Sequence, residues 1–191
     1  MELYTGRLML REYSQDDRHD LYKLFTEKFV STYEAHLQVK SVSDVKDYIK
    51  FHMDNAVSPN RTHYYFVIKL RDTGGFAGSI GYSFVEDTTI NGVTGPVMEL
   101  EYYLLEEHWN NGYTSEALKR VIAFAFENGV VKIFAQCHVD NPRSANVMMK
   151  CGMYKSAVQP EPKAYNGVMK ENVRYETSIT EEPHVQLQMA Q

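Results

Sequence analysis

A polar turn before the longest helical pattern of the chain contains residues suited to binding an anion. Asn110, Asn111 and Gly112 form this turn, and the hydroxyl residues Thr114 and Ser115 follow it. The first N–H groups of a helix have no partner within the helix, and the helix dipole adds about half a positive charge there. A phosphate group can therefore bind, because glycine allows close backbone approach and the hydroxyls donate hydrogen bonds. A capped strand–helix junction without a ligand is the alternative interpretation.

The turn is positioned by a predicted strand before it and a predicted helix after it. Residues 98–104 alternate between apolar and polar positions, as in a half-buried strand, with Glu99 and Glu101 on the polar face. From Tyr113 onward apolar residues recur at helical spacing, and Asn128-Gly129 is a good stop signal for that helix. The sequence thus predicts a strand, a short loop and a helix whose amides point back toward the strand.

The remaining patterns predict one mixed α/β domain over residues 1–180, with about seven strands and four helices. The other strands are expected at 7–13, 64–70, 76–85, 132–139, 153–158 and 173–180, and the other helices from near Ser14, Ser43 and Pro142. Asn91-Gly92 and Gly95-Pro96 are typical of a turn region before the strand at 98–104. Residues 181–191 show no pattern and are expected to form a loosely ordered tail.

Composition excludes several classes of function. The chain has 191 residues and a formal net charge of −5, which argues against nonspecific nucleic-acid binding because that needs a basic surface. Neither a signal peptide nor an apolar run long enough to cross a bilayer is seen, so a cytoplasmic protein is expected. Cys137 and Cys151 are too few for a disulfide framework, and the seven histidines lack metal-binding spacing, so no metal is expected.

Two segments resemble motifs of the GNAT acetyltransferase superfamily, especially the branch that acetylates the N-termini of ribosomal proteins. The superfamily's pyrophosphate-binding pattern Gln/Arg-x-x-Gly-x-Gly/Ala corresponds to Trp109-x-x-Gly112-x-Thr114, and tryptophan in the first place is familiar in that branch. Residues 141–153 resemble the family segment Asn-x-x-Ser/Ala-x-x-x-Tyr-x-Lys-x-Gly-Phe. The order of predicted elements is similar to that of the family over nearly the whole chain. The resemblance therefore implies a single-domain GNAT-like mixed sheet.

The resemblance also implies acetyl-CoA as co-substrate and indicates which residues bind it. The diphosphate is expected on the turn and the helix start, at Asn110, Asn111, Gly112, Tyr113, Thr114 and Ser115. Backbone amides near Tyr103, Leu104 and Leu105 are expected to contact the pantetheine arm and the oxyanion, at an opening between the fourth and fifth predicted strands. Asn141 corresponds to an asparagine that hydrogen-bonds pantetheine in the family. A helix N-cap, worth about 1 kcal/mol, is its equal alternative.

Ser144 is the candidate for assisting the leaving group. The tyrosine that is thought to protonate the departing thiolate in the family corresponds to Met148, which has no transferable proton. The N-terminal-acetylating branch is suggested to use a serine at the place of Ser144 instead, although an ordinary surface serine is the alternative. A thiolate with a pKa near 8.5 needs little protonation, so turnover does not require such an acid.

Glu99 and Glu101 are the candidates for removing the proton of the acceptor amine, directly or through water. Glu99 matches the usual acid of the branch, whereas Glu101 replaces a glycine and could also attract a cationic acceptor. Deprotonating a lysine amine at pH 7 costs about 4–5 kcal/mol, and deprotonating an α-amino group costs about 1 kcal/mol. An N-terminal or otherwise acidified amine is therefore the easier acceptor.

The leading hypothesis is an N-acetyltransferase that moves an acetyl group from acetyl-CoA to a primary amine by direct transfer in a ternary complex. A protein N-terminus, another peptide, a polyamine and an amino-bearing antibiotic all stay open as acceptors. The acceptor surface is expected from the loops at 33–38 and around Tyr165. The alternatives are a non-catalytic acyl-CoA-binding or regulatory module, and a structural protein with an empty cleft. Similar proteins are often dimers, so a homodimer also stays open.

Overall fold

Ten strands and five helices form in the part of the chain that the computed structural model describes, residues 1–33, 37, 39–158, 160, 162–165 and 168–179. The strands are β1 (Glu2–Tyr4), β2 (Leu8–Glu12), β3 (His63–Leu70), β4 (Phe76–Ile90), β5 (Val93–Leu104), β6 (Lys132–His138), β7 (Tyr154–Lys155), β8 (Lys163–Tyr165), β9 (Val168–Lys170) and β10 (Asn172–Ser178). The helices are α1 (Arg18–Thr26), α2 (Lys28–Tyr33), α3 (Val42–Ala56), α4 (Tyr113–Glu127) and α5 (Pro142–Lys150). Eight strands form one sheet in the order β1-β2-β3-β4-β5-β6-β10-β7, and β8 pairs with β9 separately.

Local sequence signals account for several helix starts. Ser14 and Asp17 form a capping box at a short 3-10 turn that leads into α1. A second capping box places Ser41 before α3, and its hydroxyl accepts a hydrogen bond from the Asp44 N–H at 3.3 Å. Proline at the first position of α5 has no N–H to leave unpaired. These ends are set by residues within one helical turn.

The central pair of strands separates along its length. β5 and β6 are parallel and joined by the crossover helix α4, whereas the other neighbouring strands of the sheet are antiparallel. Their pairing covers Val97 with Lys132 through Glu99 with Phe134, yet β5 continues to Leu104 and β6 to His138. The opening that the family resemblance implied between these two strands is therefore present, and it exposes the carboxyl ends of both.

Both faces of the sheet are covered. Leu100 of β5 packs with Leu118 of α4 in one apolar cluster, while Tyr103 of β5 packs against the other, which contains Phe25 of α1 and Ile49 of α3. Successive side chains of a strand point to opposite faces, so β5 contributes to both clusters. The separated ends of β5 and β6 are thus held between two packed layers.

The mixed α/β, GNAT-like architecture agrees with the prediction, but several details differ. The main sheet has eight strands because residues 2–4 add an edge strand, and α2 and the β8–β9 hairpin lie in stretches where no element was predicted. Asn91 and Gly92, with φ of 51° and 80°, form the tight turn between β4 and β5. Gly95 and Pro96 were predicted to lie in that turn, yet they lie inside β5, because the hairpin continues to its tip. The predicted tail, 181–191, lies outside the described residues.

None of the helices in the described ranges combines the length and the apolar character that crossing a bilayer requires.

Candidate active site

A cleft of about 450 Å³ lies where β5 and β6 separate, beside the first turns of α4 and α5. Most of the predicted site residues line it: Glu99, Glu101, Tyr103, Leu104, Asn110, Gly112, Thr114, Ser115, Asn141 and Ser144. Three predicted residues, Leu105, Asn111 and Tyr113, are not part of its lining. The fold thus brings residues of β5, of the start of α4 and of the start of α5 together in one cleft.

The direction of the β5 backbone determines which amides face the cleft. The Leu105 N–H donates to the Ala77 carbonyl oxygen at 2.9 Å, and a side chain on Gly78 would collide with the Tyr103 carbonyl oxygen. Residues 103 and 105 therefore direct their backbone groups toward β4. Because these groups alternate along a strand, those of Tyr102 and Leu104 face the separating β6.

A contact at the start of the strand pair supports this alternation. The Pro96 carbonyl oxygen accepts a hydrogen bond from the Val131 N–H at 3.0 Å, so even-numbered residues of β5 face β6. The sequence predicted backbone donors at Tyr103, Leu104 and Leu105. Of these three amides, only that of Leu104 points toward the cleft, and the Tyr102 amide points there too. The amides of Tyr103 and Leu105 point to β4, because successive backbone N–H groups of a strand face opposite neighbours.

The start of α4 is fastened to the N-terminal segment by Arg7. Arg7 donates to the Asn111 carbonyl oxygen at 3.0 Å, lies 4.7 Å from the centre of the Tyr113 ring, and pairs with Glu116 at 2.6 Å. Burial acts to raise the pKa of Glu116, but hydrogen bonds from Thr5 and Arg7 outweigh it and lower that pKa. Arg7 thus contacts the Asn111 backbone and the Tyr113 ring, while the Asn111 side-chain amide donates to the His108 and Trp109 carbonyl oxygens.

Positive charge lies at the end of the cleft formed by the start of α4. Gly112 adopts φ of 78° directly before α4, a left-handed conformation that favours glycine. The guanidinium of Arg143, at the start of α5, lies 4.8 Å from the centre of the Trp109 ring, and both residues line the cleft. The Trp109 indole N–H donates to the Leu104 carbonyl oxygen at 2.9 Å. The Arg143 guanidinium, the Trp109 indole and the start of α4 thus lie at the same end of the cleft.

The two predicted acids lie at the other end of the cleft with different partners. Glu99 accepts a hydrogen bond from the Gln136 side-chain amide at 3.0 Å, and Glu101 accepts one from the Tyr65 hydroxyl at 3.0 Å. Burial, followed by the charge of Glu101, raises the pKa of Tyr65. Tyr65 therefore keeps its proton and donates a hydrogen bond to the Glu101 carboxylate.

Two histidines lie near Tyr65, the tyrosine that donates to Glu101. His52 is buried with its ring centre 4.3 Å from that of Tyr65, and burial lowers the pKa of His52 to about 4. Burial also lowers the pKa of His63. Both imidazoles are therefore neutral near pH 7, and neither brings a positive charge to this end of the cleft.

Asn141 and Ser144 meet at the start of α5. The Asn141 side-chain oxygen accepts a hydrogen bond from the Ser144 N–H at 3.1 Å, so the N-cap that the sequence offered as an alternative role is present. The Ser144 hydroxyl lies 2.7 Å from the Tyr102 hydroxyl inside the cleft. Met148, at the place of the family's tyrosine, is fully buried in the core. The phenolic hydroxyl next to Ser144 is therefore that of Tyr102 on β5, whereas position 148 of α5 has none.

Comparison with known proteins decides the family. Residues 7–154 match the model of a family described as acetyltransferase (GNAT) domain. The chain belongs to the GNAT acetyltransferase family. An N-acetyltransferase of Bacillus subtilis (strain 168) that is described as uncharacterized, YoaA, is 26% identical over 166 residues, which cover 86% of this chain and 89% of the relative.

Solved structures agree with the fold of this GNAT acetyltransferase. RimL, described as a ribosomal α-N-protein acetyltransferase in complex with coenzyme A, matches with a TM-score of 0.80 at 17% identity, over 94% of this chain and 98% of that one. Spermidine N-acetyltransferase from Vibrio cholerae, in complex with CoA and spermine, matches with a TM-score of 0.74 at 17% identity, over 91% and 96%. Identities this low establish a shared fold and leave the acceptor open.

Several residues of the GNAT site were not found from the sequence. Tyr102 and Tyr65 contact predicted catalytic residues, Arg143 adds a cation beside the start of α4, and Arg7 fastens the turn. Two of these had a signal in the sequence, since Tyr102 lies between Glu101 and Tyr103 and Arg143 lies between Asn141 and Ser144. Tyr65 and Arg7 come from parts of the chain that are distant in sequence.

The sequence also led to expectations about metal binding and about the surface that receives the acceptor. Among the described residues no group of three or more His, Cys, Asp and Glu side chains is arranged to hold a metal ion. The predicted acceptor loops, 33–38 and the one around Tyr165, fall largely outside the residues and side chains that are described.

Proposed function

We propose that this GNAT acetyltransferase moves the acetyl group of acetyl-CoA to a primary amine by direct attack within a ternary complex. The observation that carries the proposal is the separation of β5 and β6. This separation leaves the Tyr102 and Leu104 amides in one cleft with two acids at one end and a helix start at the other. The cleft therefore combines sites for an anionic donor and a cationic acceptor.

The donor half would bind acetyl-CoA through backbone and cationic groups. The N–H groups at the start of α4, with the hydroxyls of Thr114 and Ser115, suit the diphosphate, and Arg143 adds a positive charge beside them. The backbone amides of Tyr102 and Leu104 suit the pantetheine arm and the thioester oxygen, where preorganised donors stabilise developing negative charge. Asn141 lines the same cleft and is available to the arm through the donor hydrogens of its amide.

The acceptor half would receive the amine beside Glu99 and Glu101. Either carboxylate can accept the proton that the amine must lose before or during attack, directly or through water. An α-amino group needs only about 1 kcal/mol for deprotonation at pH 7, compared with about 4–5 kcal/mol for a lysine amine. We therefore propose a peptide or protein N-terminus as the preferred acceptor.

A polyamine is the second candidate acceptor. It is favoured by the two carboxylates that face one cleft from alternate positions of the same strand. The second carboxylate, Glu101, is held by the Tyr65 hydroxyl and could bind another ammonium group of the same molecule. Spermidine N-acetyltransferases also share the fold, which is compatible with this candidate.

Calorimetry followed by a turnover screen would test the proposal. Acetyl-CoA and CoA should bind with similar affinity, and release of free thiol should depend on an added amine. The acceptors to compare are peptides with free N-termini, the same peptides with blocked N-termini and one lysine, polyamines and aminoglycosides. The absence of binding at millimolar ligand would refute the proposal. Binding without transfer to any of these amines would favour the non-catalytic acyl-CoA-binding module.

The cellular compartment and the oligomeric state of the enzyme are further expectations. We expect the enzyme to work in the cytoplasm, and a homodimer is open to test by light scattering at several protein concentrations. Neither expectation affects the chemistry proposed for the cleft.

A further inference from the structure

A second cavity, of about 270 Å³, lies across the sheet from Glu99 and Glu101. It shares no lining residue with the cleft between β5 and β6. Side chains alternate along β5, so Met98 points away from Glu99 and joins the apolar cluster that contains Leu118 of α4. We call this space the hairpin cavity, and its walls include Arg61, Tyr82, Phe84, Asp87, Met98 and Val130.

The hydroxyl of Tyr82 makes no hydrogen bond with any residue that the structure describes. Tyr82 is 1% exposed, and the centre of its ring lies 4.9 Å from that of the Tyr64 ring. Burial raises the pKa of Tyr82, so the phenol keeps its proton and is able to donate. A buried hydroxyl without a partner is unfavourable, because it has given up its hydrogen bonds to water. Since Tyr82 lines the hairpin cavity, a ligand there would supply the missing acceptor.

Arg61 brings a positive charge to the same cavity and is held in place by three contacts. Its Nε–H donates to the His63 carbonyl oxygen at 2.9 Å, and one terminal nitrogen pairs with Glu12 at 2.6 Å. Its guanidinium also lies 4.0 Å from the centre of the Tyr64 ring. A guanidinium carries five N–H groups, so these contacts leave donors for a carboxylate. The side chain is only 12% exposed, which limits the conformational freedom that binding would remove.

Much of the remaining wall is apolar. Met98 and Val130 are buried, and the Phe84 side chain is partly open at 41% exposure. Asp87 is exposed and is the single acid among the described residues that line the cavity. A guanidinium and a phenol thus face the same space as three apolar side chains. Such a surface suits a molecule with a negatively charged head and a short apolar body.

We propose that the hairpin cavity is a second ligand site, which binds a small carboxylate through Arg61 and Tyr82. The carboxylate accepts hydrogen bonds from the guanidinium and the phenol, while a short apolar chain packs against the apolar wall. Short-chain fatty acids and apolar α-amino acids share this chemistry, and Asp87 is available to the ammonium group of an amino acid. The inference does not depend on acetyl transfer, because no residue of this site lines the other cleft.

Titrations with pentanoate, pentanamide and L-norvaline, followed through ¹³C-labelled methyl groups, test the site. The methyl signals of Met98 and Val130 should shift saturably with pentanoate at millimolar concentration and constant ionic strength. Pentanamide lacks the charge and should bind at least about tenfold more weakly, because hydrogen bonds to charged groups are the stronger ones. Saturating CoA should not displace pentanoate, since the two cavities are separate.

Tyr82→Phe removes the phenol oxygen and keeps the ring. It should weaken pentanoate binding by about tenfold and leave the affinity for CoA unchanged. Tyr175→Phe, at a buried tyrosine of β10 outside both cavities, is the matched control and should bind pentanoate as the wild type does. Tighter binding of L-norvaline than of pentanoate, with the difference lost in Asp87→Asn, would identify an amino acid as the ligand. Equal or weaker binding of L-norvaline would identify a simple carboxylate.

Four results would overturn the inference. Pentanoate could leave the Met98 and Val130 signals unchanged, or pentanamide could bind as tightly, and either result would exclude a carboxylate site. Wild-type affinity in Tyr82→Phe would exclude the phenol, and displacement of pentanoate by CoA would place it in the other cleft. If Tyr82→Phe does not fold, the comparison of pentanoate with pentanamide in the wild type still decides. Absence of acetyl transfer would refute the proposed function and leave this site unaffected.

Discussion

Glu99 and Glu101 face the same cleft from alternate positions of β5, but their environments differ. Glu99 is held by the flexible amide of Gln136 on β6, whereas Glu101 is held by a buried tyrosine hydroxyl. The hydrogen bond from Tyr65 fixes the orientation of the Glu101 carboxylate. At the residue scale, the structure therefore gives the two acids different hydrogen-bond partners, which the sequence did not predict.

The role of these acids predicts a pH-dependent loss of activity. Glu99→Gln and Glu101→Gln should each lower kcat/KM for a peptide N-terminus at pH 7, by about 10- to 100-fold for the acid that acts as base. The deficit should shrink as the pH rises above the pKa of the acceptor amine, because a neutral amine needs no base. Steady-state kinetics from pH 6 to 9 measure this, with the exposed Glu107→Gln as control. Wild-type turnover in both variants over that range would contradict the assignment.

His52 predicts how stability depends on pH. Its pKa is about 4 in the folded protein, whereas a solvated histidine side chain has a pKa of 6.5, so the unfolded chain binds the proton more readily. The stability contributed by neutral His52 is complete above pH 6.5 and is lost as the pH falls from 6.5 to 4. A difference of this size corresponds to at most about 3 kcal/mol.

Replacing this buried imidazole should remove that dependence. Its Nδ1 atom has no hydrogen-bond partner among the described residues, and its neighbours are aromatic. His52→Phe should therefore be no less stable at pH 7, and its free energy of unfolding should fall less between pH 7 and 5. Urea titrations at several pH values measure the two slopes. A slope equal to that of the wild type would show that other groups cause the acid sensitivity.

At the scale of secondary structure, the start of α4 depends on the turn between β1 and β2 as well as on its own sequence. Arg7 contacts the Asn111 carbonyl oxygen, the Tyr113 ring and Glu116 at once. Glu116 in turn accepts from the Arg7 N–H at 2.9 Å and from the Thr5 hydroxyl at 2.6 Å. This network orders the turn before a ligand arrives, which reduces the entropic cost of binding.

Removing the Arg7 side chain should weaken CoA binding although Arg7 does not line the cleft. Arg7→Ala should raise the Kd of CoA by about 5- to 10-fold, through loss of roughly 1 kcal/mol of preorganisation. The free energy of unfolding should fall by only about 1 kcal/mol, because the ion pair is half exposed. Calorimetry measures the affinity, and Lys50→Ala, which removes an exposed ion pair on α3, is the control. Equal affinity in wild type and Arg7→Ala would show that the turn is ordered without this contact.

Gly81 links the packing of β3 and β4 to the chemistry of Glu101. It lies opposite Tyr65 in the sheet, and a Cβ atom there would lie 2.5 Å from the Tyr65 ring. Gly81→Ala should therefore cost about 1–3 kcal/mol of stability and displace the ring. Its effect on acceptor kinetics should resemble that of Tyr65→Phe, which removes the hydroxyl without overpacking. Normal kinetics in both variants would show that Glu101 needs no orientation by Tyr65.

At the scale of the whole molecule, much of the fold was predictable because its signals are local. The alternation at 98–104, the capping serines before α1 and α3 and the proline of α5 each act within a few residues. The short edge strands have too few residues to show a period. The separation of β5 and β6 was expected from family resemblance, since no local pattern encodes where two strands stop pairing.

The site was less predictable because its geometry depends on distant contacts. The Leu104 amide points into the cleft and the Leu105 amide donates to Ala77. Which amides of β5 face the cleft can be assigned only when the pairing with β4 is known. The contacts of Tyr102 with Ser144 and of Tyr65 with Glu101 join residues 42 and 36 positions apart. Residue types and motif spacing identified the cleft, while the hydrogen-bonded partners within it required the fold.

A crystal structure of the protein with bound CoA tests the central claim most directly. The account predicts that the diphosphate lies at the start of α4, within hydrogen-bonding distance of N–H groups in residues 112–115. It also predicts that the pantetheine arm follows the Tyr102 and Leu104 amides between β5 and β6, with the thiol near Ser144. CoA bound at another surface, or side chains closing the gap between these strands, would contradict it.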